Sequence, residues 1–426
     1  MTERKELHII KSIYVVRKGL VQKMEKKGKN LKYLRENNTR EVLKYLALNG
    51  DCSRIKLSKE LGLSKMTITN IVNDLLKSGY ICESEAISKE NMGCTGPKPI
   101  MLSVIRNRII AVGIFVSRER LICSLSDIAN GEFYVDQYKL DLANVKTTFI
   151  SDVCNLIQKA LDYLGDKRQY VIGIGIATVG LVDNCTGTLV RSTDFLGDLE
   201  VPIKDILEKE FQIPVFASND AQAAIIGEQL YGYGRKNSNY LYIGITHGIG
   251  TAVISGGKLI TGRRGFAVEA GHMSIDYNGE PCDCGNRGCL ELYASLPVLL
   301  SKSRTSCLDE LLEHYEKKEA TAVNVINEFI CAVSIGLTNL TNLFDVEIII
   351  FGNEGSLFTR DILDLIQKNV NEYTFMNRGK QVEIVTSTFG TLAGLRGASS
   401  IVFEKFFNGE IKWNRLVRNS IEENEG

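Results

Sequence analysis

IIAVGIFVSRERLICSLSD, residues 109–127, and LYIGITHGIGTAVISGGKLITG, residues 241–262, decide how the body of this chain is built. Each is an apolar strand, a turn and a second apolar strand, the pattern of a buried hairpin. Two such hairpins far apart in one chain predict two similar lobes, each opening with a hairpin. From about residue 105 onward strands alternate with helical periods, so the body is α/β. Two sheet-based lobes leave a cleft between them, the usual place for a small ligand.

Size and composition agree with a folded, multi-domain chain. Its 426 residues are about three times the ~150-residue prior for one domain. The apolar fraction of 44% and charged fraction of 24% exclude a largely disordered or fibrous chain. Lys+Arg and Asp+Glu are both 51, yet residues 1–100 hold 20 basic and 11 acidic residues, net +9, and the remainder is net −9. A cationic module on an acidic body points to an anionic polymer as partner. Eleven cysteines, an odd number, fit a reducing cytosol better than a disulfide framework. Near the N-terminus Lys11, Arg17 and Lys18 interrupt the apolar run well short of the ~20 residues of a membrane span. The expectation is a soluble, cytoplasmic protein with no membrane partner.

Residues 1–35 read as a basic N-terminal segment, with Ile9, Ile13, Val16, Leu20 and Met24 at helical spacing. Such a helix would contact DNA or a membrane surface, or simply pack on the next domain. Residues 36–104 read as a winged helix-turn-helix. REVLKYLALN, residues 40–49, is one helix; RIKLSKELGLSKMTITNIVNDLLKSGYI, residues 54–81, is two more, broken at Gly62 and restarted with Ser64 as cap. Ile68, Ile71, Val72, Leu75 and Leu76 form the inner face of the second, leaving Lys65, Met66, Thr67, Thr69, Asn70 and Asn73 outward. Lys65, Thr67, Thr69 and Asn70 are the expected base readers, with Arg54, Lys56 and Lys98 on phosphate. Strands at Tyr80–Ser84 and Ile100–Val104, joined by GCTGPKP (93–99), make the wing. Past Asn408 the chain is mostly polar and is expected to end in a frayed helix.

The strongest chemical signal is EAGHMSIDYNGEPCDCGNRGCLE, residues 269–291. His272, Cys282, Cys284 and Cys289 are a Cys3His set suited to tetrahedral Zn2+, and Gly285 and Gly288 let the backbone turn so that the thiols converge. Four protein ligands leave no open position, so the metal would be structural. The alternative is a redox-active or merely buried cysteine cluster. Metal binding would fix Glu269 and Glu291 beside it, and carboxylates so held accept hydrogen bonds from sugar hydroxyls. Asn219 and Asp220 could join them; equally, they could cap the helix that begins at Ala221. GITHGIG, residues 244–250, could offer backbone N–H groups to a phosphate, though a plain hairpin is the simpler reading.

On these motifs the chain resembles the ROK family (repressors, open reading frames and kinases), specifically its transcriptional regulators related to xylose and N-acetylglucosamine repressors. CDCGNRGCLE preceded by EAGH carries most of the likeness, supported by GIGIATVGLVD (173–183) and SNDAQAAIIGE (218–228). The resemblance implies a two-lobed actin-like (sugar kinase/ribonuclease H-like) ROK domain over residues 105–426. Lobe one would span about 105–220 plus 395–426, and lobe two about 221–394. It implies a sugar in the cleft touched by Gly180, Asn219, Asp220, Glu269, His272 and Glu291, with Asp220 at the position of the kinase members' catalytic base. It also implies a homodimer or homotetramer.

The departures from that family pattern concern ATP. Kinase members carry an Asp-x-Gly-Gly-Thr type loop; here Phe115 stands for the Asp, and Ser117, Arg118 and Glu119 for Gly-Gly-Thr. Thr246 and His247 stand where the second phosphate loop has Gly-Thr, and Val268 replaces the Gly before Glu269. The expected function is a sugar-responsive repressor of carbohydrate-utilisation genes that binds double-stranded operator DNA and is not an enzyme. An ATP-dependent hexose kinase (glucokinase-like) carrying a helix-turn-helix is the alternative. A regulator sensing a sugar-phosphate or a protein is a third reading, with Arg263 and Arg264 as possible phosphate partners.

Overall fold

Ser53, Gly62 and Ser64 set the bounds of the helices at the front of the chain, in a computed structural model that describes residues 31–85, 100–192, 196–375 and 381–412. The helix expected within residues 1–30, the wing loop with Lys98, and the tail from 413 onward lie outside the described residues. The chain divides into two compact units, Met1–Val104 and Ile105–Gly426.

In the first unit α1 (Leu31–Asn49) is followed by β1 (Cys52–Ser53), α2 (Arg54–Leu61), α3 (Lys65–Lys77), β2 (Ile81–Glu85) and β3 (Ile100–Val104). The Ser53 hydroxyl accepts the Lys56 N–H at 3.3 Å and so caps α2; Gly62 ends it in the left-handed region at φ +63. Ser64 accepts the Thr67 N–H at 3.1 Å and starts α3. The three strands pair antiparallel in the order β1-β3-β2. Leu43, Leu57, Ile68, Val72 and Leu102 are fully buried and form the core under that sheet. Two details differ from the sequence reading. Helix α1 begins at Leu31 rather than Arg40, because its polar front half carries no apolar period, and Leu76 is only half-buried, in the last turn of α3.

The second unit contains one sheet order twice. Its first lobe runs β4 (Ile110–Val116), β5 (Arg120–Asp127), β6 (Glu132–Lys139), α4 (Val145–Leu164), β7 (Val171–Thr178), β8 (Leu181–Asp183), β9 (Thr188–Arg191), α5 (Ile203–Phe211) and β10 (Val215–Asn219). After α6 (Asp220–Tyr231) come β11 (Tyr240–Ile245), β12 (Ile249–Ser255) and β13 (Lys258–Leu259). Helices α7 (Glu291–Ala294), α8 (Leu296–Ser303), α9 (Leu308–Glu316) and α10 (Ala320–Phe344) lead to β14 (Ile348–Asn353), α11 (Arg360–Tyr373), β15 (Glu383–Thr386) and α12 (Ala393–Phe407). The sheets are β6-β5-β4-β7-β10 and β13-β12-β11-β14-β15. In each, the opening hairpin is antiparallel and the next two strands add in parallel. The look-alike segments 109–127 and 241–262 are the corresponding hairpins of the two lobes.

Helix α10 is 25 residues long and apolar enough by length and composition to cross a membrane. Here it is the central core helix of the second lobe, with Ile326, Phe329, Val333 and Leu337 fully buried against β11, β14 and α11.

The lobes are joined by α6 and α12. Helix α6 packs under the second sheet through Ala221, Ala224 and Ile225. Helix α12 lies so tightly under the first that a Cβ on Gly175 would fall 1.8 Å from the Ala398 carbonyl oxygen. Where the two helices cross, a Cβ on Gly397 would lie 2.3 Å from the backbone of Ala223. Glu228, fully buried in α6, accepts from the Ser387 hydroxyl (2.7 Å), the Thr388 N–H (2.7 Å) and the Thr388 hydroxyl (2.9 Å), fixing the loop that leads into α12. Gly397→Ala is expected to lower stability by about 1–3 kcal/mol, because backbone rather than a flexible side chain must move; an unchanged thermal midpoint would show that the crossing relaxes freely.

Candidate functional site

The metal-ligand loop leaves β13 and returns to α7. His272 ends a 3-10 turn at Ala270–His272, and its Nδ1 lies 3.8 Å from Cys282 Sγ. Cys284 and Cys289 bring their sulfurs to 3.7 Å, and the four ligand atoms all lie within 4.8 Å of one another. A tetrahedral ion with ~2.3 Å bonds to sulfur sets its sulfurs about 3.8 Å apart, so the four donors already have the spacing such an ion needs.

Local chemistry explains that convergence. Cys282 N–H donates to Asn286 O and Gly285 N–H to Cys282 O, both at 2.9 Å, closing a tight turn with Gly285 at φ +91. Gly288, at φ +59, passes so close to Asp276 that a Cβ would sit 1.9 Å from its carbonyl oxygen. Asn286 Nδ2 donates to the His272 carbonyl at 3.1 Å, tying the cysteine turn to the histidine. Burial and the neighbouring thiols push Cys289 up to about 12, so three thiols gathered here do not ionise together without a cation.

From this loop the site is assembled on the first residues of β12. Glu291, two residues after Cys289, accepts the Ile249 N–H at 2.9 Å. Asp220 Oδ1 stands 3.8 Å from where a Cβ on Gly250 would be. The Thr251 hydroxyl donates to the Val268 carbonyl and accepts the Ala270 N–H at 3.1 Å, clamping the segment that carries Glu269. Residues 249–251 therefore anchor Glu291 and the segment carrying Glu269, and Asp220 lies beside the same strand end. Burial pushes Asp220 up to about 6 and Glu269 up to about 7, with the charges of Asp220 and Glu291 adding to the latter. Glu354, after β14, is raised by burial as well and adds to the field at Asp220. Nothing in its sequence context singles it out, because only the β11–β14 pairing brings it here.

Asn219 and Gly180 act together. The Asn219 Oδ1 caps α6, accepting from Ala221 N–H at 2.9 Å and Gln222 N–H at 3.4 Å, while its Nδ2 donates to Gly180 O at 3.0 Å. Asn219 therefore caps α6, as one of the two sequence readings expects. Gly180 has φ +100, and a Cβ there would strike the Arg191 carbonyl at 2.3 Å. Val268 holds φ +66, a left-handed backbone that a β-branched residue adopts only under strain of about 1–3 kcal/mol. Its packing on the second-lobe core and the Thr251 bond keep it there.

Where a kinase would hold phosphates, this chain has other contacts. Ser117 N–H donates to Arg120 O at 2.9 Å, closing an ordinary turn, and Phe115 packs on α12 so closely that a Cβ on Gly394 would meet its ring at 2.5 Å. GITHGIG is the tight turn of the β11–β12 hairpin, Thr246 N–H donating to Gly248 O at 2.9 Å. Arg264 is spent on Asp183, its Nε donating at 3.1 Å, and this bond holds the Asp183 carboxyl below the usual carboxylate range.

In the first unit the outward face of α3 is as read. Lys65, Met66, Thr69, Asn70 and Asn73 are exposed, and Thr67 is half-buried. Lys56 is exposed on α2, whereas Arg54 pairs with Glu83 of β2 at 2.6 Å.

Because burial raises Asp220, its ionised form opposes folding: stability is fully present below the ordinary carboxylate range and is lost as the pH rises through about 6. Asp220→Asn should therefore be more stable than the parent at pH 7.5, by on the order of 2–3 kcal/mol. The gap should close below pH 4. Denaturant melts at both pH values check this, and a gap that is constant with pH would mean Asp220 titrates normally.

A model described as the ROK family matches residues 118–405, and one described as winged helix-turn-helix DNA-binding matches residues 35–81. The chain is 30% identical over 380 residues to the xylose repressor of Bacillus spizizenii, covering 88% of this chain and 97% of that protein. It is 29% identical over 281 residues to the glucokinase of Thermotoga maritima, covering 62% of this chain and 87% of that enzyme. The crystal structure of a ROK family transcriptional regulator, described as a homologue of the E. coli MLC protein, superposes with a TM-score of 0.73 at 21% identity, covering 91% of this chain and 99% of that one. With the family model spanning residues 118–405 and a repressor relative aligned along nearly its whole length, this chain belongs to the ROK family.

Proposed function

We propose that this protein is a sugar-responsive transcriptional repressor of carbohydrate-utilisation genes, acting in the cytoplasm as a homodimer or homotetramer. The observation that carries the reading is the split fate of the site. The carboxylates that suit sugar hydroxyls, Asp220, Glu269 and Glu291, converge on β12, while Phe115 fills the phosphate side against Gly394. A site so arranged binds a sugar and leaves it unchanged. The winged helix supplies the output. Kinship to a xylose repressor along 97% of that protein's length supports the same reading, and a pentose is the first effector to try.

Asp220 is buried and Glu269 and Glu291 are half-buried, so the acceptor capacity their present bonds leave over can be met by a polyol, which supplies several donors at once. Sugar binding would thus favour the lobe arrangement in which Asp220, Glu269 and Glu291 all reach the ligand, and that preference is what shifts DNA affinity. His272 faces the thiols through Nδ1, so its Nε2, on the other side of the ring, is the atom left for the sugar. A zinc ion held by His272, Cys282, Cys284 and Cys289 would lock the ends of the loop that positions Glu269 and Glu291; the donor set and its spacing support zinc as a structural ion.

Cys284→Ser should lower bound zinc well below one per chain by elemental analysis and weaken sugar binding with it. Full zinc content in that variant would remove Cys284 from the ligand set. The function itself is tested by fluorescence anisotropy on the DNA upstream of the protein's own gene, at fixed salt, with a panel of free and phosphorylated sugars. One sugar is expected to shift the affinity at least about tenfold, a coupling near 1.4 kcal/mol. ADP release with a hexose, and no effect of any sugar on DNA binding, would instead establish the kinase alternative.

A further inference from the structure

The outward face of the recognition helix carries one apolar group among polar ones. Met66 is the second residue of α3 and is 72% exposed. It heads a stripe of exposed residues, Met66, Thr69, Asn70 and Asn73, at helical steps of three and four. Two of the expected base readers have already committed hydrogen-bonding capacity within the helix. The Thr67 hydroxyl lies 2.9 Å from that of Ser64 in the cap, and the Thr69 hydroxyl donates its proton to Lys65 O at 2.8 Å. Hydrogen bonding on this face therefore falls mainly to Lys65, Asn70 and Asn73, with Met66 between the first two in sequence.

The N-terminal turn of a recognition helix is the part that meets base edges. In the major groove the apolar feature is the C5-methyl group of thymine. A thioether side chain is flexible and polarizable, so it can cover a methyl group without demanding one geometry. The net charge of +9 over residues 1–100 favours DNA over a basic or neutral protein as the occupant of this face. We propose that Met66 is a specificity-determining residue that reads a thymine methyl in each half-site. This rests on the DNA-binding reading above.

The test uses the full chain and a duplex enriched by it from random DNA. Each thymine is replaced in turn by deoxyuridine, which removes the methyl group and leaves base pairing intact, and affinity is read by anisotropy at fixed salt. At one or two positions per half-site the parent should lose about three- to tenfold. Met66→Ala should bind the thymine duplex with a comparable loss and show no further loss on deoxyuridine, while Met66→Leu, keeping the bulk, should retain the sensitivity. Since Met66 is exposed, both variants are expected to fold, and their unchanged circular dichroism melts would verify it. Indifference of the parent to every replacement, or sensitivity undiminished in Met66→Ala, overturns the proposal while leaving DNA binding intact. If the chain enriches no duplex, the DNA-binding reading fails and this proposal with it.

Discussion

The crossing of α6 over α12 is the contact on which the two-lobed body depends. Each helix follows a strand of one lobe and packs under the sheet of the other: α6 leaves β10 and lies beneath β11 and β12, and α12 follows β15 and lies beneath β4 and β7. At the crossing Gly397 meets the backbone of Ala223 with no side chain between. Such packing is rigid because it has nothing to compress. The buried Glu228 carboxylate, bonded to Ser387 and Thr388, fixes the same joint at the entrance to α12. The first turn of α6 brings Asp220 to the site, while the first turn of α12 carries Gly394, which Phe115 covers.

The metal-ligand loop is the second constraint, and it acts through chain connectivity. Between His272 and Cys289 the backbone is held by turns and two isolated bridges rather than by a helix or a sheet, and the candidate carboxylates lie just outside it, Glu269 before and Glu291 after. Neither is held by the ligands directly. Glu291 is placed by its bond to Ile249 N–H, and Glu269 by the clamp of Thr251 on Val268 and Ala270. Drawing the four ligands together shortens the path between these two anchors and limits how far either can drift. The strain at Val268 belongs to the same economy: a left-handed valine persists only when its surroundings over-determine it.

Much of this was legible in the residues. The duplicated hairpins announced two lobes because long apolar runs with a turn between them bury only as paired strands. Gly62 and Ser64 marked the helix-turn-helix because backbone conformation and capping are local properties. The gathering of His272, Cys282, Cys284 and Cys289 was legible because their residue types and spacing are those that suit a metal ion. What escaped was set by contacts between distant segments. Glu354 reaches the site only through β11–β14 pairing, and the front half of α1 is too polar to show a period. Asn219 could be read as cap or ligand from sequence. The structure adds the cap bonds to Ala221 and Gln222 and a bond to Gly180 that no local sequence signal announces.

The electrostatics of the site favour a neutral ligand rich in hydroxyl donors over a further anion. Asp220, Glu269 and Glu354 are all raised by burial, so each is less stable ionised here than in water. Phosphoryl transfer to a hydroxyl brings more negative charge into such a place and needs cations to offset it. Among the described residues the nearby arginine Arg264 is paired with Asp183, the turn amide of Ile249 is bonded to Glu291, and no acid stands at position 115 to hold a divalent ion. A neutral ligand rich in hydroxyl donors meets the opposite situation: every hydrogen bond it gives lowers the cost of a buried carboxylate. The carboxylates suited to a polyol lie at the starts of α6 and α7 and beside the start of β12, whereas the departures from the kinase pattern, Phe115 and Ser117 to Glu119, lie on β4 and the turn after it.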